Sequence, residues 1–313
     1  MTRPTPSTPL KLGTRGSPLA LAQAEETRRR LAAAWDLPHD AFRIVVIKTT
    51  GDRVLDRPLK EIGGKGLFTK EIEDALLDGS IDVAVHSMKD MPVAQPDGLV
   101  LDCYLPREDV RDAFVALTGG GLADLPQGAV VGTSSLRRRA QLLHRRPDLT
   151  VVEFRGNVQT RLRKLADGVA GATFLAMAGL NRLGNAQAVP HSPIDPDEML
   201  PAVAQGAIGI ERRGDDGATA DLLAAIHDVP TGQRLAAERA FLAALDGSCQ
   251  TPIAGLAELR DGGLRLRGQI LRTDGSEAPS DEMSGPVEDG PEMGRRMAAG
   301  LLDRAGPGFF DWR

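Results

Sequence analysis

The sequence predicts a protein of the α/β class, with two α/β units that each hold a mainly parallel sheet and a small α+β domain after them. Strand-like apolar runs alternate with helical stretches in the first part of the chain, and this alternation restarts near residue 129. The C-terminal part has a different order, in which a helix precedes strand-like runs and another helix. The length of 313 residues also favours several domains, because one core rarely exceeds about 250–300 residues.

The first unit begins with a strand, a tight turn and a helix. The strand runs from Leu10, Ser17 is a favourable N-cap, and Pro18 suits the first helical position, where no N–H donor is needed. The further elements expected in this unit are a strand at 42–47, a glycine-rich loop at 63–66, a helix at 69–77 and a strand at 81–85.

The second unit repeats this order, and the third part departs from it. In the second unit we expect strands at 129–132, 150–154 and 172–177 and helices at 136–146 and 158–166. The two units are joined near 105–112, and the proline-rich stretch 188–206 suits a second connection. In the third part we expect a helix at 234–245, strands at 253–259 and 264–271, and a helix at 293–303.

Composition excludes several classes of protein. Hydrophobic residues make up 42% and charged residues 26% of the chain, which is ordinary for a globular protein and not for a disordered one. The net charge of −5 argues against a general nucleic-acid coat. Because the first residues lack the apolar segment of a secretory signal and no apolar run is long enough to cross a bilayer, we expect a soluble cytoplasmic protein.

The two cysteines suggest neither a zinc site nor a disulfide framework, because they lie far apart and outside any His cluster. Cys103 lies in an apolar strand-like run and is expected to be a packed thiol. Cys249 lies in a loop, where a nucleophilic or attachment role and a plain exposed thiol both stay open. The loop 63–66 holds Lys65 but lacks the Ser or Thr of a phosphate loop, so nucleotide chemistry is not indicated, and we expect no metal.

Arginines are concentrated between residues 134 and 165. They could form a solvated helix face, which is the favoured interpretation for Arg139, Arg145, Arg146 and Arg163. The remaining ones lie beside strand-to-helix turns, where helix N-termini and guanidinium groups bind anions. These positions are Arg15 in the first unit and Ser134, Ser135, Arg137, Arg138, Arg155 and Arg161 in the second. They predict a cleft between the units that receives a ligand with many negative groups.

Lys89 and Asp90 follow the strand at 81–85. They could be a loop ion pair. If the strand ends in the cleft, however, Asp90 is the natural carboxylate to stabilise a positive charge or to transfer a proton. We interpret the preceding His86 as a hydrogen-bonded histidine near the strand end.

The chain resembles the porphobilinogen deaminases, also called hydroxymethylbilane synthases. The resemblance rests on segments that occur in the family's order over nearly the whole chain. They are GTRGSPLALAQA (13–24), GGKGLFTKE (63–71), DVAVHSMKDMP (82–92), VGTSSLRR (131–138), RGNVQTRL (155–162), LAMAGLNRLG (175–184), LPAVAQGAIGIE (200–211), AERAF (237–241) and GSCQTPIAG (247–255).

The resemblance implies an architecture of two α/β domains similar to periplasmic binding proteins, joined by a double hinge, and a small C-terminal α+β domain. It implies that domain 1 is discontinuous and covers 1–105 and 206–223. Domain 2 then covers 106–205 with the hinge segments, and domain 3 covers 224–313 and carries the cofactor cysteine. The family also implies a monomer.

The resemblance also implies the reaction. The family joins four porphobilinogen molecules head to tail with loss of ammonia, and water then releases the linear tetrapyrrole hydroxymethylbilane. A covalent dipyrromethane cofactor primes the chain, and Cys249 matches the residue that holds it through a thioether. Because each pyrrole ring brings an acetate and a propionate, the growing product is a polyanion, which explains the arginines.

Residue by residue, the resemblance implies the following roles. Asp90 is the catalytic carboxylate, which stabilises the cationic azafulvene left when ammonia departs. The residues implied to bind the cofactor are Cys249, Lys89, Ser135, Arg137, Arg138 and Asp90. Those implied to bind substrate are Arg15, Ser17, Arg155, Arg161, Arg182, Lys65, Ser87, Ser134 and Gln205.

Two other classes of protein compete with this interpretation. A non-catalytic polycarboxylate-binding protein of the solute-receptor type would also need anion-binding turns, but it would need neither Cys249 nor a third domain. A family member used only structurally is disfavoured, because Asp90, Cys249 and the matching arginines are all present. We therefore predict an enzyme of tetrapyrrole biosynthesis whose partner is the small molecule porphobilinogen, not nucleic acid or a membrane.

Overall fold

The computed structural model describes residues 3–53, 69–248 and 251–310. The chain divides into two compact units, each made of two chain segments. Unit 1 comprises Met1–Arg107 and Ala207–Gly232, and unit 2 comprises Glu108–Gly206 and Gln233–Arg313. The division into three domains expected from the sequence stays a prediction.

The described residues form strands and helices that alternate along most of the chain. The strands are β1 (Leu10–Arg15), β2 (Phe42–Ile47), β3 (Val83–Ser87), β4 (Leu99–Tyr104), β5 (Asp112–Ala116), β6 (Val130–Gly132), β7 (Thr150–Val152), β8 (Ala172–Ala176), β9 (His191–Pro193), β10 (Ile208–Arg213), β11 (Ile253–Arg260), β12 (Gly263–Ile270) and β13 (Ser280–Gly285). The helices are α1 (Pro18–Trp35), α2 (Thr50–Arg53), α3 (Lys70–Leu77), α4 (Leu136–Arg145), α5 (Val158–Ala166), α6 (Met177–Arg182), α7 (Gly217–Ala224), α8 (Val229–Ala244) and α9 (Gly290–Ala305).

Unit 1 contains a five-stranded sheet in the order β2-β1-β3-β10-β4. Strand β1 pairs in parallel with β2 and β3, whereas β10 is antiparallel to both β3 and β4. The expectation of a mainly parallel sheet is therefore wrong, because half of the pairings are antiparallel. The reason is that β10 comes from a later part of the chain and enters the sheet beside β3 without the helical crossover that a parallel pair requires.

Unit 2 contains a five-stranded sheet with the same pattern of directions and a separate three-stranded sheet. The first has the order β7-β6-β8-β5-β9, with β6 parallel to β7 and β8, and β5 antiparallel to β8 and β9. The second is an antiparallel meander of β11, β12 and β13. The predicted mixed α/β class with a small C-terminal α+β part is confirmed.

Aliphatic and phenylalanine side chains fill both cores. In unit 1, Leu12, Leu31 and Phe42 are fully buried in one cluster with Cys103. Burial raises the pKa of the Cys103 thiol to about 12, so it is an inert core thiol as the sequence predicts. In unit 2, apolar clusters are formed around Phe154 and around the ring pair Phe114–Phe174, whose centroids lie 6.0 Å apart.

The predicted boundaries match the structure at α5 and differ by a few residues at several other elements, including β3, β7 and α9. Helix α5 spans the predicted residues 158–166, and Ser17 caps α1 by accepting a hydrogen bond from the Ala20 amide at 3.2 Å. Helix α8, predicted from residue 234, begins at Val229 instead. Pro230 is tolerated there because the first helical turn needs no backbone donor.

No helix within the three described segments is long and apolar enough to span a bilayer.

Candidate functional site

In unit 1, two neighbouring parallel strands end beside each other. Strand β1 ends at Arg15, and β3 ends at Ser87 and continues into a 3₁₀ helix, Met88–Asp90. Arg15, Lys89 and Asp90 are all half-buried. Because the ends of parallel neighbours share one sheet edge, a guanidinium, an ammonium and a carboxylate meet the solvent at this edge.

Helix α1 fixes the hydroxyl at the end of β3. The side-chain amide of Gln23 donates to Ser87 Oγ at 2.8 Å and accepts from it at 3.0 Å. Ser17, predicted to contact substrate, is engaged as the N-cap of α1. Both hydroxyls thus have structural partners within unit 1.

His86 lies directly before the segment that carries Asp90. Its Nε2 lies 3.0 Å from Glu211 Oε2 on β10, and both side chains are buried. This confirms the expected hydrogen-bonded histidine. Glu73 on α3 also faces this pair, and burial raises its pKa, with a further increase from the charge of Glu211.

In unit 2, Arg137 and Arg138 in the first turn of α4 converge on one carboxylate. The distance from Arg137 Nη1 to Asp112 Oδ2 is 2.8 Å, and that from Arg138 Nη2 to Asp112 Oδ1 is 2.7 Å. Asp112 is fully buried at the start of β5, and the two arginines are 4% and 6% exposed. Arg137 also donates to the carbonyl of Leu200 at 2.8 Å.

Asp112 and the arginines around it together carry an excess of positive charge, because a third guanidinium, that of Arg161, lies near Arg138. Burial alone would raise the pKa of Asp112, but the two guanidinium groups lower it well below its usual range. Burial lowers the pKa of Arg161 to about 10, and the like charge of Arg138 contributes. The two arginines both donate to the Phe174 carbonyl, at 3.0 Å from Arg138 and 3.2 Å from Arg161.

The two serines before α4 serve as local hydrogen-bond partners. Ser135 is the N-cap, and its Oγ accepts from the Arg138 amide at 3.4 Å. Ser134 Oγ accepts from the amide of Phe154 at 2.9 Å. Since β6 and β7 are parallel neighbours, these serines and Arg155 follow strand ends at one sheet edge.

Three further residues predicted to bind substrate lie in unit 2. Arg155 is half-buried just after β7. Arg182, the last residue of α6, donates to the carbonyl of Gly206 at 3.1 Å. Gln205 is 1% exposed, and its amide donates to Val110 O at 2.8 Å and to Asp112 Oδ1 at 3.0 Å. Gln205 therefore supports Asp112 from within the unit.

Lys65 and Cys249, which the sequence predicts to bind substrate and cofactor, lie outside the described residues.

Of the four arginines assigned to a solvated helix face, Arg145 and Arg163 are exposed, whereas Arg139 and Arg146 are half-buried. Arg146 pairs with Asp148 at 2.7 Å, and Arg145 donates to the Asp197 carbonyl. An open groove of about 760 Å³ lies between α4 and strands β12 and β13. The residues that line it include none of those predicted to bind cofactor or substrate.

The group around Asp112 fits a ligand with several carboxylates. Arg137, Arg138 and Arg161 bring three guanidinium groups together, and Asp112 is the carboxylate paired with two of them. Arg137 Nε is buried without a hydrogen-bond partner among the described residues, so a donor is left over for an anion. Within those residues, no group of three or more His, Cys, Asp and Glu side chains could hold a metal ion.

Sequence patterns missed the acidic residues that organise these arginines and His86. Asp112 lies in the segment interpreted as a connection, and Glu211 is a single acidic residue within the apolar run 207–211. The sequence offers one signal for both residues, which is a single carboxylate at the edge of an apolar run. Burial of an unpaired charge is costly, so such a carboxylate is expected to have a partner of opposite charge or a hydrogen-bond donor. The identity of that partner, distant in sequence, needed the fold.

Comparison with known proteins gives a consistent result over nearly the whole chain. Residues 10–221 match the family model "Porphobilinogen deaminase, dipyromethane cofactor binding domain", and residues 233–303 match "Porphobilinogen deaminase, C-terminal domain". The chain is 70% identical over 309 residues to porphobilinogen deaminase of Paracoccus denitrificans (strain Pd 1222), covering 99% of this chain and 98% of that protein. It is 54% identical over 308 residues to the chloroplastic porphobilinogen deaminase of Pisum sativum, covering 96% of this chain and 83% of that protein.

Among solved structures, the Bordetella pertussis BvgS periplasmic VFT2 domain is similar with a TM-score of 0.42 and 17% identity, covering 69% of this chain and 86% of that chain. The two family models and the 70% identity are independent of this similarity, and they show that the chain belongs to the porphobilinogen deaminase family.

Proposed function

We propose that this chain is a hydroxymethylbilane synthase. It joins four porphobilinogen molecules head to tail onto a covalent dipyrromethane primer, releases ammonia at each step, and frees hydroxymethylbilane by hydrolysis. The observation that carries this proposal is the 70% identity to a porphobilinogen deaminase over 99% of the chain. The excess of guanidinium groups in unit 2 supports it, because both primer and product are polycarboxylates.

The dipyrromethane supplies the terminal pyrrole to which the first substrate is joined. We propose that Cys249 attaches it and that this chain holds it with Lys89, Asp90, Ser135, Arg137 and Arg138. Arg137 and Arg138 are pre-oriented by Asp112, so little side-chain entropy is lost when they bind a carboxylate. Ser135 caps α4, whose N-terminus favours negative charge.

The acetate and propionate groups of incoming substrate are proposed to bind a second set of side chains. The set is Arg15, Ser17, Lys65, Ser87, Ser134, Arg155, Arg161, Arg182 and Gln205. Arg155 and Arg161 flank the start of α5, and the Arg161 guanidinium is fixed by the carbonyls of Gly156 and Phe174. Of the set, Gln205 is fully buried, so its contribution comes through Asp112.

Asp90 is proposed to be the catalytic carboxylate. Its side chain is half-buried at the end of β3 and makes no hydrogen bond or ion pair with the part of the chain that the structure describes. An ionised carboxylate held there stabilises the positive charge that develops on the substrate as ammonia departs. It is also placed to accept the proton released after carbon–carbon bond formation.

We further propose that the protein acts as a cytoplasmic monomer whose partner is porphobilinogen, without a nucleic-acid or membrane partner. No specific observation favours the solute-receptor alternative.

The intact mass of the purified protein tests this function. We expect the wild type to be heavier than its sequence by two linked pyrrole units, either as purified or after incubation with porphobilinogen. Cys249→Ser is expected to lack this mass, whereas Cys103→Ala retains it because that thiol is buried in unit 1. If porphobilinogen adds nothing covalent to the wild type, the enzyme proposal fails and the receptor alternative replaces it.

A further inference from the structure

We propose that Glu238 is a positioning residue for the cofactor site of unit 2, because it holds the turn at Ala204 that places Gln205 against Asp112. The inference rests on the proposed function, since it assigns Glu238 a role in loading the dipyrromethane. Glu238 lies on α8 and is fully buried.

Both carboxylate oxygens of Glu238 accept hydrogen bonds from backbone amides. Oε2 accepts from Ala204 at 2.6 Å, and Oε1 accepts from Ala257 on β11 at 2.8 Å. Hydrogen bonds to an ionised carboxylate are shorter and stronger than those between neutral groups. Glu238 therefore ties the turn at Ala204 to β11, the strand that follows the predicted attachment residue Cys249.

The turn at Ala204 needs such support. Ala204 has φ +59°, in the left-handed region, which a residue with a Cβ adopts at a cost that glycine does not have. Gly206, two residues after Ala204, has φ +87°, and a Cβ there would lie 2.5 Å from the Glu108 carbonyl oxygen. The left-handed conformation carries no steric cost at Gly206 but does carry one at Ala204. The hydrogen bond from the Ala204 amide to the Glu238 carboxylate offsets that cost.

This turn connects Glu238 to the arginines. Gln205 lies between Ala204 and Gly206, and its amide donates to Asp112 Oδ1 at 3.0 Å. Asp112 in turn pairs with Arg137 and Arg138. A change in the conformation of Ala204 would move Gln205, and with it the carboxylate that orients both guanidinium groups.

The test is the rate at which apo protein becomes covalently loaded during incubation with porphobilinogen, followed by intact mass. We expect Glu238→Gln to slow loading about tenfold, because a neutral amide replaces a charged acceptor of two amides. It should also raise KM for porphobilinogen more than it lowers kcat. The control Glu292→Gln, on the exposed side of α9, should load at the wild-type rate.

A second substitution distinguishes positioning from general loss of stability. Glycine adopts φ +59° without strain, so Glu238→Gln combined with Ala204→Gly is expected to recover loading to within about threefold of Ala204→Gly alone. A double variant as slow as Glu238→Gln would overturn the proposal, as would wild-type loading by Glu238→Gln itself.

If Glu238→Gln does not fold, Glu238→Asp provides the test, since it keeps the charge but shortens the side chain that reaches the Ala204 amide. Slow loading of Glu238→Asp is expected, and loading at the wild-type rate would overturn the proposal. Failure of the wild type to load would instead contradict the proposed function, so the two failures are distinguishable.

Discussion

At the scale of single residues, Asp90 is the side chain among the described residues whose loss should affect turnover most. Asp90→Asn keeps the shape and removes the negative charge, so we expect kcat to fall by about 10²-fold or more. The thermal unfolding midpoint should change little, because the half-buried carboxylate has no partner within the described residues. Steady-state rates and unfolding curves check both. Asp97→Asn, at an exposed loop position, is the control, and near-wild-type turnover by Asp90→Asn would remove the assigned role.

Asp112 should govern stability and not only binding. Asp112→Asn leaves two buried guanidinium groups without their carboxylate, and we expect the free energy of unfolding at pH 7 to fall by about 3–5 kcal/mol. Chemical denaturation measures this change. The exposed Asp303→Asn serves as a control in the same unit. A loss below about 1 kcal/mol would mean that the arginines find other partners.

The lowered pKa of Asp112 predicts how the free energy of unfolding depends on pH. The pKa of Asp112 is lower in the folded than in the unfolded state, so its stabilisation is present above the unfolded value of about 3.9 and is lost as pH falls below it. We expect the unfolding free energy of the wild type to decrease from about pH 5 to pH 3. The slope of the unfolding free energy against pH should be smaller for Asp112→Asn, by an amount that corresponds to at most one bound proton. Equal slopes for the two proteins would contradict the assignment.

Single-residue roles could be predicted from sequence where the partner is local. Ser17 as an N-cap follows from its position before Pro18 and a helical stretch, and the burial of Cys103 follows from its apolar neighbours. The pairing of Asp112 with Arg138 joins residues 26 positions apart, and that of His86 with Glu211 joins residues 125 apart. Such pairs depend on the topology of the sheets, which residue spacing does not contain.

At the scale of elements, the parallel pairs of the two five-stranded sheets were predictable, and so were β11 and β12, whereas the antiparallel strands β5 and β10 were not. Strands β1 and β6 each precede a helix with a capping serine, Ser17 before α1 and Ser135 before α4. Strand β5 lies in a segment interpreted as a connection, and β10 lies in one that the sequence pattern left without an element. Each pairs with strands on both sides, so its place depends on partners distant in sequence.

The contribution of a helix N-cap to stability can be tested at α5, the helix that carries Arg161. Asn157 caps α5, and its Oδ1 accepts from the amide and the hydroxyl of Thr160, both at 2.9 Å. We expect Asn157→Ala to lower the free energy of unfolding by about 1 kcal/mol. Chemical denaturation against Gln159→Ala, an exposed position on the same helix, isolates the cap from helix propensity. Equal stability of the two variants would show that the cap contributes nothing.

At the scale of the whole molecule, the overall charge and the charge of the proposed site have opposite signs. The chain carries a net charge of −5, and porphobilinogen and its oligomers are anions. Long-range attraction therefore has to come from the local arginines and not from the molecule as a whole. Fields from partly exposed charges are screened over about 10 Å at 0.1 M ionic strength, which makes the attraction sensitive to salt.

We accordingly expect KM for porphobilinogen to rise several-fold between about 20 mM and 200 mM NaCl, with a smaller change in kcat. Arg155→Gln, which removes a half-buried charge at the end of β7, should weaken this salt dependence. Arg163→Gln removes an exposed charge from the same part of unit 2 and should leave the salt dependence of KM unchanged. Comparison of the two variants therefore separates the effect of a charge in the proposed site from the effect of the overall charge of the protein. Steady-state kinetics over a salt series measures all three proteins. A salt-independent KM in the wild type, or equal slopes in the two variants, would mean that substrate capture depends on contacts other than these guanidinium groups.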